Sequence, residues 1–510
     1  MSNGGATSNG CVGGGRVSHL QAAGDAMVGA EQVLIEGWCQ LFPSHSVDDL
    51  AFAADGALYA SGCVGRQRQL AAVRPGWARP RSRKVFVVSS KSPMAPVRRT
   101  RYTASMHRVI ASIAIGLAMA GCAAQQGLSS ALREALRREG PESMPLRPVA
   151  SDDGEVSFQV EAQSQPIIER SRADSEGGTW EIDIPIGADT PINCWLTDRP
   201  VAIAATAAEF LSRKLVEDAS SQEIAGIDAS VVGGTPYLTA DVIGVAEENG
   251  SNALYRAKLF FAPVGLGALR CVHVGLGYQA TVQRVLSGML TTLQVGADAA
   301  RQPQPAYVDV SLTRLGPLTC GFTELRAYRG DGGRWVTVSR SVLLEPRSRG
   351  EAVGLDQVRL TVADAGGVIE QASADAVNAG EKLHSLELTR APDGSYAVQG
   401  EVRGTRIDGG LESAVPLRDD LSLARLIAGA PEGGTVTAAQ WMPDVSPLEP
   451  VEVSIACPAR RGVADIPCRI DAGSVSVDAF IDRSGMASRA TYTTGNVELQ
   501  IERAYSSGAF

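Results

Sequence analysis

From Tyr307 to Phe510 the chain alternates apolar and polar residues with a period of two, segment after segment. Val497, Leu499 and Ile501 are interleaved with Glu498, Gln500 and Glu502. Val475, Val477, Ala479 and Ile481 are interleaved with Ser474, Ser476, Asp478 and Phe480, and Tyr396, Val398 and Val402 with Gln399, Glu401 and Arg403. Successive side chains of a strand point to opposite faces, so this pattern dictates antiparallel sheet with one wet face. Asp393-Gly394, Ser484-Gly485 and Gly495-Asn496 supply turns. One helical stretch interrupts, LSLARLIAG at 421–429, and Asp419-Asp420 before it suits the positive end of a helix dipole.

The preceding stretch mixes both element types. Strand signals VSFQVEA, TWEIDIPI and INCWLT come first, and Pro200 then opens a helix through VAIAATAAEFLSRKLVED. Ile203, Ala207, Phe210 and Leu211 share one face of it. Strands IDASVV, YLTADVIGVA, ALYRAKLFFAP and ALRCVHVG follow, with a turn at Asn249-Gly250. A second helix, YQATVQRVLSGMLTTLQ, carries a stripe of Val282, Leu286, Met289, Leu290 and Leu293. The expected fold class is α+β: an α/β-layered sandwich domain over 155–297, a linker at Pro303 and Pro305, and a mostly antiparallel half-barrel or open β-sheet domain over 307–510. The first order of elements is similar to the PsbP-like sandwich. The second resembles periplasmic β-domains of unknown function that form an incompletely closed half-barrel. That resemblance rests on the helix at 421–429, the strand through Trp441, and the 480–503 meander with its Asp482-Arg483-Ser484-Gly485 turn.

Upstream lies MHRVIASIAIGLAMAGC, residues 106–122. His107 and Arg108 are cationic, Val109–Met119 is apolar, and Ala120-Gly121-Cys122 is small residues and then cysteine. That is the layout of a secretory signal, and it resembles the bacterial lipoprotein signal, with Met119 where that pattern prefers Leu. The resemblance implies a signal peptide over 106–121, cleavage between Gly121 and Cys122, and diacylation of Cys122. The uncharged run is shorter than the roughly 20 residues that span a bilayer. Ala123 after the cysteine implies, by the enterobacterial sorting rule, the outer membrane. Residues 122–154 then read as anchor, a short amphipathic helix with Leu128, Leu132 and Leu136, and a Pro-containing linker. Residues 1–105 carry 12 Lys and Arg against 6 Asp and Glu, the rest 35 against 50. This break predicts that 1–105 is unrelated, largely disordered and absent from the natural protein, although VDDLAFAADGALYASG (47–62) resembles one hairpin of a propeller blade.

The acidic balance after Cys122 excludes nucleic acid as a natural partner. Five cysteines follow the anchor: Cys194, Cys271, Cys320, Cys457 and Cys468. Cys457 and Cys468 bracket a short loop and form the expected disulfide, Cys194 and Cys271 a second candidate pair, and the odd count leaves a free thiol. Without CxxC there is no support for a redox or zinc-ribbon site. GLGYQA (275–280) matches the GxGxxA dinucleotide fingerprint, but its strand closes a meander rather than opening a βαβ unit, so a glycine-rich turn accounts for it. His273 and His384 lie on apolar strand faces and read as packing. No catalytic residue, metal or cofactor is expected. The sequence points to a non-enzymatic outer-membrane lipoprotein held to the membrane by its anchor and facing the periplasm or cell surface. It would bind an acyl chain or hydrophobic peptide in the half-barrel, or dock onto an envelope protein complex. The alternatives are a scaffold without ligand, and a periplasmic hydrolase built around His273 or His384.

Overall fold

The computed structural model describes six backbone strands between residues 14 and 88, and residues 130–510 apart from 172–178, 214, 217–218, 249–250, 266, 297–302, 348–350, 431–432, 459–464 and 495–496. Contacts divide the chain into Met1–Gly127 and Leu128–Phe510. In the first unit β1 (Gly14–Ala23), β2 (Ala26–Cys39), β3 (Asp49–Phe52), β4 (Leu58–Val64), β5 (Gln67–Val73) and β6 (Lys84–Val88) make two three-stranded sheets, β2-β1-β6 and β3-β4-β5. The 47–62 stretch supplies the β3–β4 hairpin.

The second unit begins with α1 (Ser130–Arg137), β7 (Leu146–Ala150), β8 (Val156–Glu161), β9 (Ile167–Arg170), β10 (Thr179–Ile184) and β11 (Ile192–Thr197). It continues through α2 (Ile203–Ser212), β12 (Ala219–Val232), β13 (Thr235–Glu248), β14 (Ser251–Val264), β15 (Gly267–Val274), α3 (Gln279–Leu290) and β16 (Gln294–Val295). One sheet runs β12-β13-β14-β15-β11-β10-β9 and another β16-β8-β7. Their shared core holds Phe158, Trp180, Ile182, Phe260, Leu286 and Met289. Where a tether is expected, β7 is folded, with Met144 and Val149 buried. Pro148 is tolerated because β7 is an edge strand, where a missing N–H costs no ladder bond.

Across the described residues strand outweighs helix, 59% against 12%, which overturns the α+β expectation with its layered sandwich. The structure is mostly antiparallel sheet. The helical signals are real but short, 10 residues in α2 and 12 in α3, whereas β12, β13 and β14 each run 14. Register shifts near Ser221 and Gly226 break the alternation of β12, so its sequence reads as a short strand. Nor does α2 lie as a layer on its own sheet: it wedges between that sheet and the one that follows.

That sheet has fourteen strands. Its first arm comprises β17 (Tyr307–Leu315), β18 (Leu318–Arg329), β19 (Trp335–Pro346), β20 (Ala352–Ala363), β21 (Ile369–Asn378), β22 (Glu381–Arg390), β23 (Tyr396–Val402) and β24 (Thr405–Leu411). After α4 (Asp420–Gly429) the second arm comprises β25 (Thr435–Gln440), β26 (Val451–Ala456), β27 (Ile466–Ala472), β28 (Val475–Ile481), β29 (Ala487–Thr494) and β30 (Val497–Gly508). Both arms are meanders, joined where β30 pairs with β17, which leaves β24 and β25 as the edges. Asp419 caps α4 by accepting from the Ser422 N–H at 2.8 Å. Helix α4 contributes Leu423 and Ile427 to a core with Val453, Ile455 and Ile481. Trp441, fully buried, fills the other arm among Leu386, Leu388 and Tyr396.

The Asp482–Gly485 turn is fastened from two sides. Asp482 accepts from the Ser484 N–H at 2.8 Å and pairs with Arg503, whose Nε lies 2.7 Å from the Asp309 carboxylate. The Tyr307 hydroxyl donates to that carboxylate at 2.9 Å. Burial above all raises the Asp309 pKa and pushes that of Tyr307 up to about 12.

Candidate functional site

The strands β10, β11 and β15 run side by side, with Thr179 opposite Thr197 and Thr197 opposite Ala268. Two residues along, Trp195 faces Arg270, which in turn faces Phe261 on β14. Strand alternation sends Leu269 and Cys271 into the core and Arg270 to the other side of the sheet. Across that side lies α2, placing Ile203, Thr206 and Phe210 over the strands. Sheet and helix enclose a half-open recess of about 170 Å³. Its walls combine the apolar Ile203, Phe261 and Ala268 with the hydroxyls of Thr179, Thr197 and Thr206 and with Arg270.

The aromatic groups here are ordered around the cation. The Arg270 guanidinium carbon sits 5.7 Å from the centre of the Trp195 ring and 5.5 Å from that of Phe210. Phe210 also meets Trp195 and, edge-on, Phe261, each at 6.1 Å between ring centres. Cation–π contact of this kind contributes about 0.5–2 kcal/mol and fixes the plane of the guanidinium.

What holds α2 in place comes from the fourteen-stranded sheet. Two N–H groups in the first turn of the helix, on Ala204 and Ala205, donate to the two carboxylate oxygens of Asp356 on β20 at 2.9 and 2.8 Å. Asp356 is buried, and loss of hydration raises its pKa despite these bonds. The two sheets are tied separately, by Arg340 on β19 donating to the Gly265 carbonyl in the turn after β14 at 3.2 Å. Sequence reasoning missed Arg270, Trp195 and Asp356 as site residues. They meet only through strand pairing and an interaction spanning 152 positions of chain.

The residues singled out in the sequence are placed elsewhere. At 275–280 the glycine-rich turn does open a helix, but the anion at its N-terminus is the chain's own. Glu139 accepts from the N–H groups of Ala280 and Thr281 at 3.1 and 2.9 Å, and from the Thr281 hydroxyl at 2.7 Å. Gly277 is required because a Cβ there would stand 2.5 Å from the Arg138 carbonyl oxygen. Close packing of the segment after α1, rather than of a pyrophosphate, explains the glycine.

His273 is buried, with Nδ1 3.3 Å from the Pro191 carbonyl, and desolvation lowers its pKa. Its neighbour Cys271 is bonded to Cys194, so that sulfur is no nucleophile. His384 is buried with Nδ1 3.7 Å from an Asp444 oxygen. Cys457 and Cys468 form a disulfide, and Cys320 is a buried thiol whose pKa burial pushes up to about 11. Gly121 and Cys122, with the whole 106–121 signal, lie outside the described residues. Among the described residues no cluster of three His, Cys, Asp or Glu could hold a metal, and no helix is long and apolar enough to cross a membrane. Inside the open sheet, the space between Ile427, Val436, Ile455 and Ile481 amounts to about 20 Å³, room for roughly one water and not for an acyl chain.

No protein-family model and no curated protein matches the chain. Among solved structures it is similar to a β-barrel-like protein of domain of unknown function DUF1849 from Brucella abortus. The two are 13% identical, the match covers 40% of this chain and 96% of the other, and the TM-score is 0.31.

Proposed function

We propose that this chain is a lipid-anchored envelope protein that acts by binding, not by catalysis, and that it takes a small, partly apolar ligand in the recess between α2 and the β9–β15 sheet. The observation that carries this reading is the recess itself: apolar walls with a few converging polar groups are what small-molecule sites consist of, and its 170 Å³ is comparable to the roughly 150 Å³ cavity that accepts benzene. The placement in the envelope rests on the 106–122 signal, and two disulfides among the described residues suit an oxidising compartment. A scaffold role without ligand is the second reading, favoured by the filled interior of the fourteen-stranded sheet.

Thermal unfolding of the full chain with benzyl alcohol tests the recess. Binding at 100 times Kd stabilises by about 2.7 kcal/mol, so the midpoint should rise, and Thr206→Trp, which fills the recess from a half-buried helix position, should abolish the rise. An unchanged midpoint with benzyl alcohol and with benzoate, or an equal rise in T206W, refutes ligand binding here. Intact mass and N-terminal analysis from the native host tests the anchor. A species starting at diacylated Cys122 supports it, and an unlipidated chain starting upstream of 106 refutes it.

A further inference from the structure

We infer that the outer edge of β24 pairs with the same edge of a second copy of this chain, antiparallel and centred on Ile407. This goes beyond the ligand reading above and does not depend on it. Strand edges expose unpaired N–H and C=O groups, and native sheets normally blunt them. In the second unit β7 carries Pro148, β9 has four residues, β16 has two, and β12 is bulged and lies against β18. At β25 the Arg418 N–H donates to the Ala439 carbonyl at 2.8 Å, which occupies that edge. Strand β24 has none of these devices. Its seven residues pair with β23 without a register shift, and among the described residues no strand lies on its other side.

Hydrogen-bond phase decides which groups point outward. The Arg403 N–H donates to the Leu383 carbonyl on β22 at 2.8 Å, so Glu401 and Gln399, two and four residues back, face β22 as well. Val402, Gly400 and Val398 therefore bond across to Thr405, Ile407 and Gly409. Arg406, Asp408 and Gly410 are left with their backbone groups directed away from the sheet, and no described backbone group meets them there.

A second β24 laid antiparallel, Ile407 against Ile407, sets Arg406 of each copy opposite Asp408 of the other. Both are outward-bonding positions, so each such pair exchanges two backbone hydrogen bonds. Their side chains are 86% and 61% exposed and share one face, so the four charges alternate in sign around the contact. Sliding one copy by two residues brings Arg406 against Arg406 or Asp408 against Asp408. Sliding by one puts the bonding groups out of phase. Charge thus selects one register. On the opposite face Ile407, which already packs beside Trp441 and Leu411, covers its counterpart.

Sedimentation equilibrium of the full chain in density-matched detergent, where micelle and lipid add no buoyant mass, tests this pairing. The native chain should show a monomer–dimer equilibrium. Arg406→Asp and Asp408→Arg each set like charges opposite and should raise the dimer Kd about tenfold or more. An equimolar mixture of R406D and D408R should recover native affinity, because opposite charges face each other again in the mixed pair. Both positions are exposed, and circular dichroism checks that the variants fold. Under mild oxidation Ile407→Cys should give a linked dimer, since opposed residues of a non-hydrogen-bonded pair lie within disulfide reach. Thr405→Cys, whose counterparts lie apart in this register, should not. A native chain that stays monomeric up to about 1 mM, a dimer indifferent to both reversals, a mixture that stays dissociated, or no link through I407C overturns the pairing. Capture of a foreign extended peptide at this edge by a chain that remains monomeric overturns it likewise.

Discussion

Removing the Asp356 carboxylate should unfasten α2 from the fourteen-stranded sheet. In Asp356→Ala the N–H groups of Ala204 and Ala205 lose acceptors at 2.9 and 2.8 Å, and the buried Arg340 loses a nearby negative charge. Hydrogen bonds to a charged acceptor contribute about 1.5–3 kcal/mol each. Against that, removing a buried carboxylate returns the hydration penalty that raises its pKa. The net expected loss is about 3 kcal/mol for Ala, and roughly half for Asn, which keeps one acceptor oxygen. Urea unfolding followed by both circular dichroism and tryptophan fluorescence measures it. A cost below about 1 kcal/mol for D356A would refute the reasoning, because one buried and one partly buried N–H group cannot lose their acceptor so cheaply.

The same residue carries a pH signature. Since the folded-state pKa of Asp356 is raised, the protonation-dependent part of its contribution to stability is fully present below the ordinary aspartate value and is lost as pH rises through the folded-state value, while the helix bonds remain. The stability gap between the native protein and D356N should therefore be widest in acid and narrow with rising pH. A gap that widens with pH would mean that the helix bonds outweigh burial.

Three further outcomes follow from other sites. Tyr307, pushed up to about 12 by burial, favours the folded state fully below pH 10 and loses that contribution between about pH 10 and 12. Ultraviolet titration should show its late-ionising component missing in Tyr307→Phe. Breaking the Cys457–Cys468 bridge, which closes an 11-residue separation, should cost about 3 kcal/mol, and breaking Cys194–Cys271, separated by 77, about 4.5, as read from the shift in urea midpoint in the Ser variants. Gly485→Ala should cost more than about 3 kcal/mol, since φ is 87° and the new Cβ would stand 1.8 Å from the Ala424 carbonyl oxygen. Gly404→Ala, with φ 75° but nothing nearer than 3.8 Å, should cost only about 1–2 in the same assay.

The sequence by itself determined what depends on neighbours along the chain. A period of two over 307–510 dictated the strands, because alternation is a local property of the extended backbone. Helix α4 was legible from its apolar face and the Asp419 cap, and the stripe Val282, Leu286, Met289 was legible as the buried side of α3. Tertiary structure decided the rest, where a residue's role depends on what folds against it. The GxGxxA turn reads as a phosphate cradle until Glu139, some 140 residues away, is seen to fill it. Proline-containing residues 140–155 read as a tether, yet the edge position of β7 accommodates Pro148 within a sheet. Bulges hide the length of β12 from any periodicity. The recess is the extreme case: Trp195, Phe210 and Arg270 are unremarkable on their own elements, and only strand pairing plus the grip of Asp356 on α2 brings two rings around one guanidinium. Periodicity encodes which face of an element is apolar, but it carries no information about which distant face will meet it.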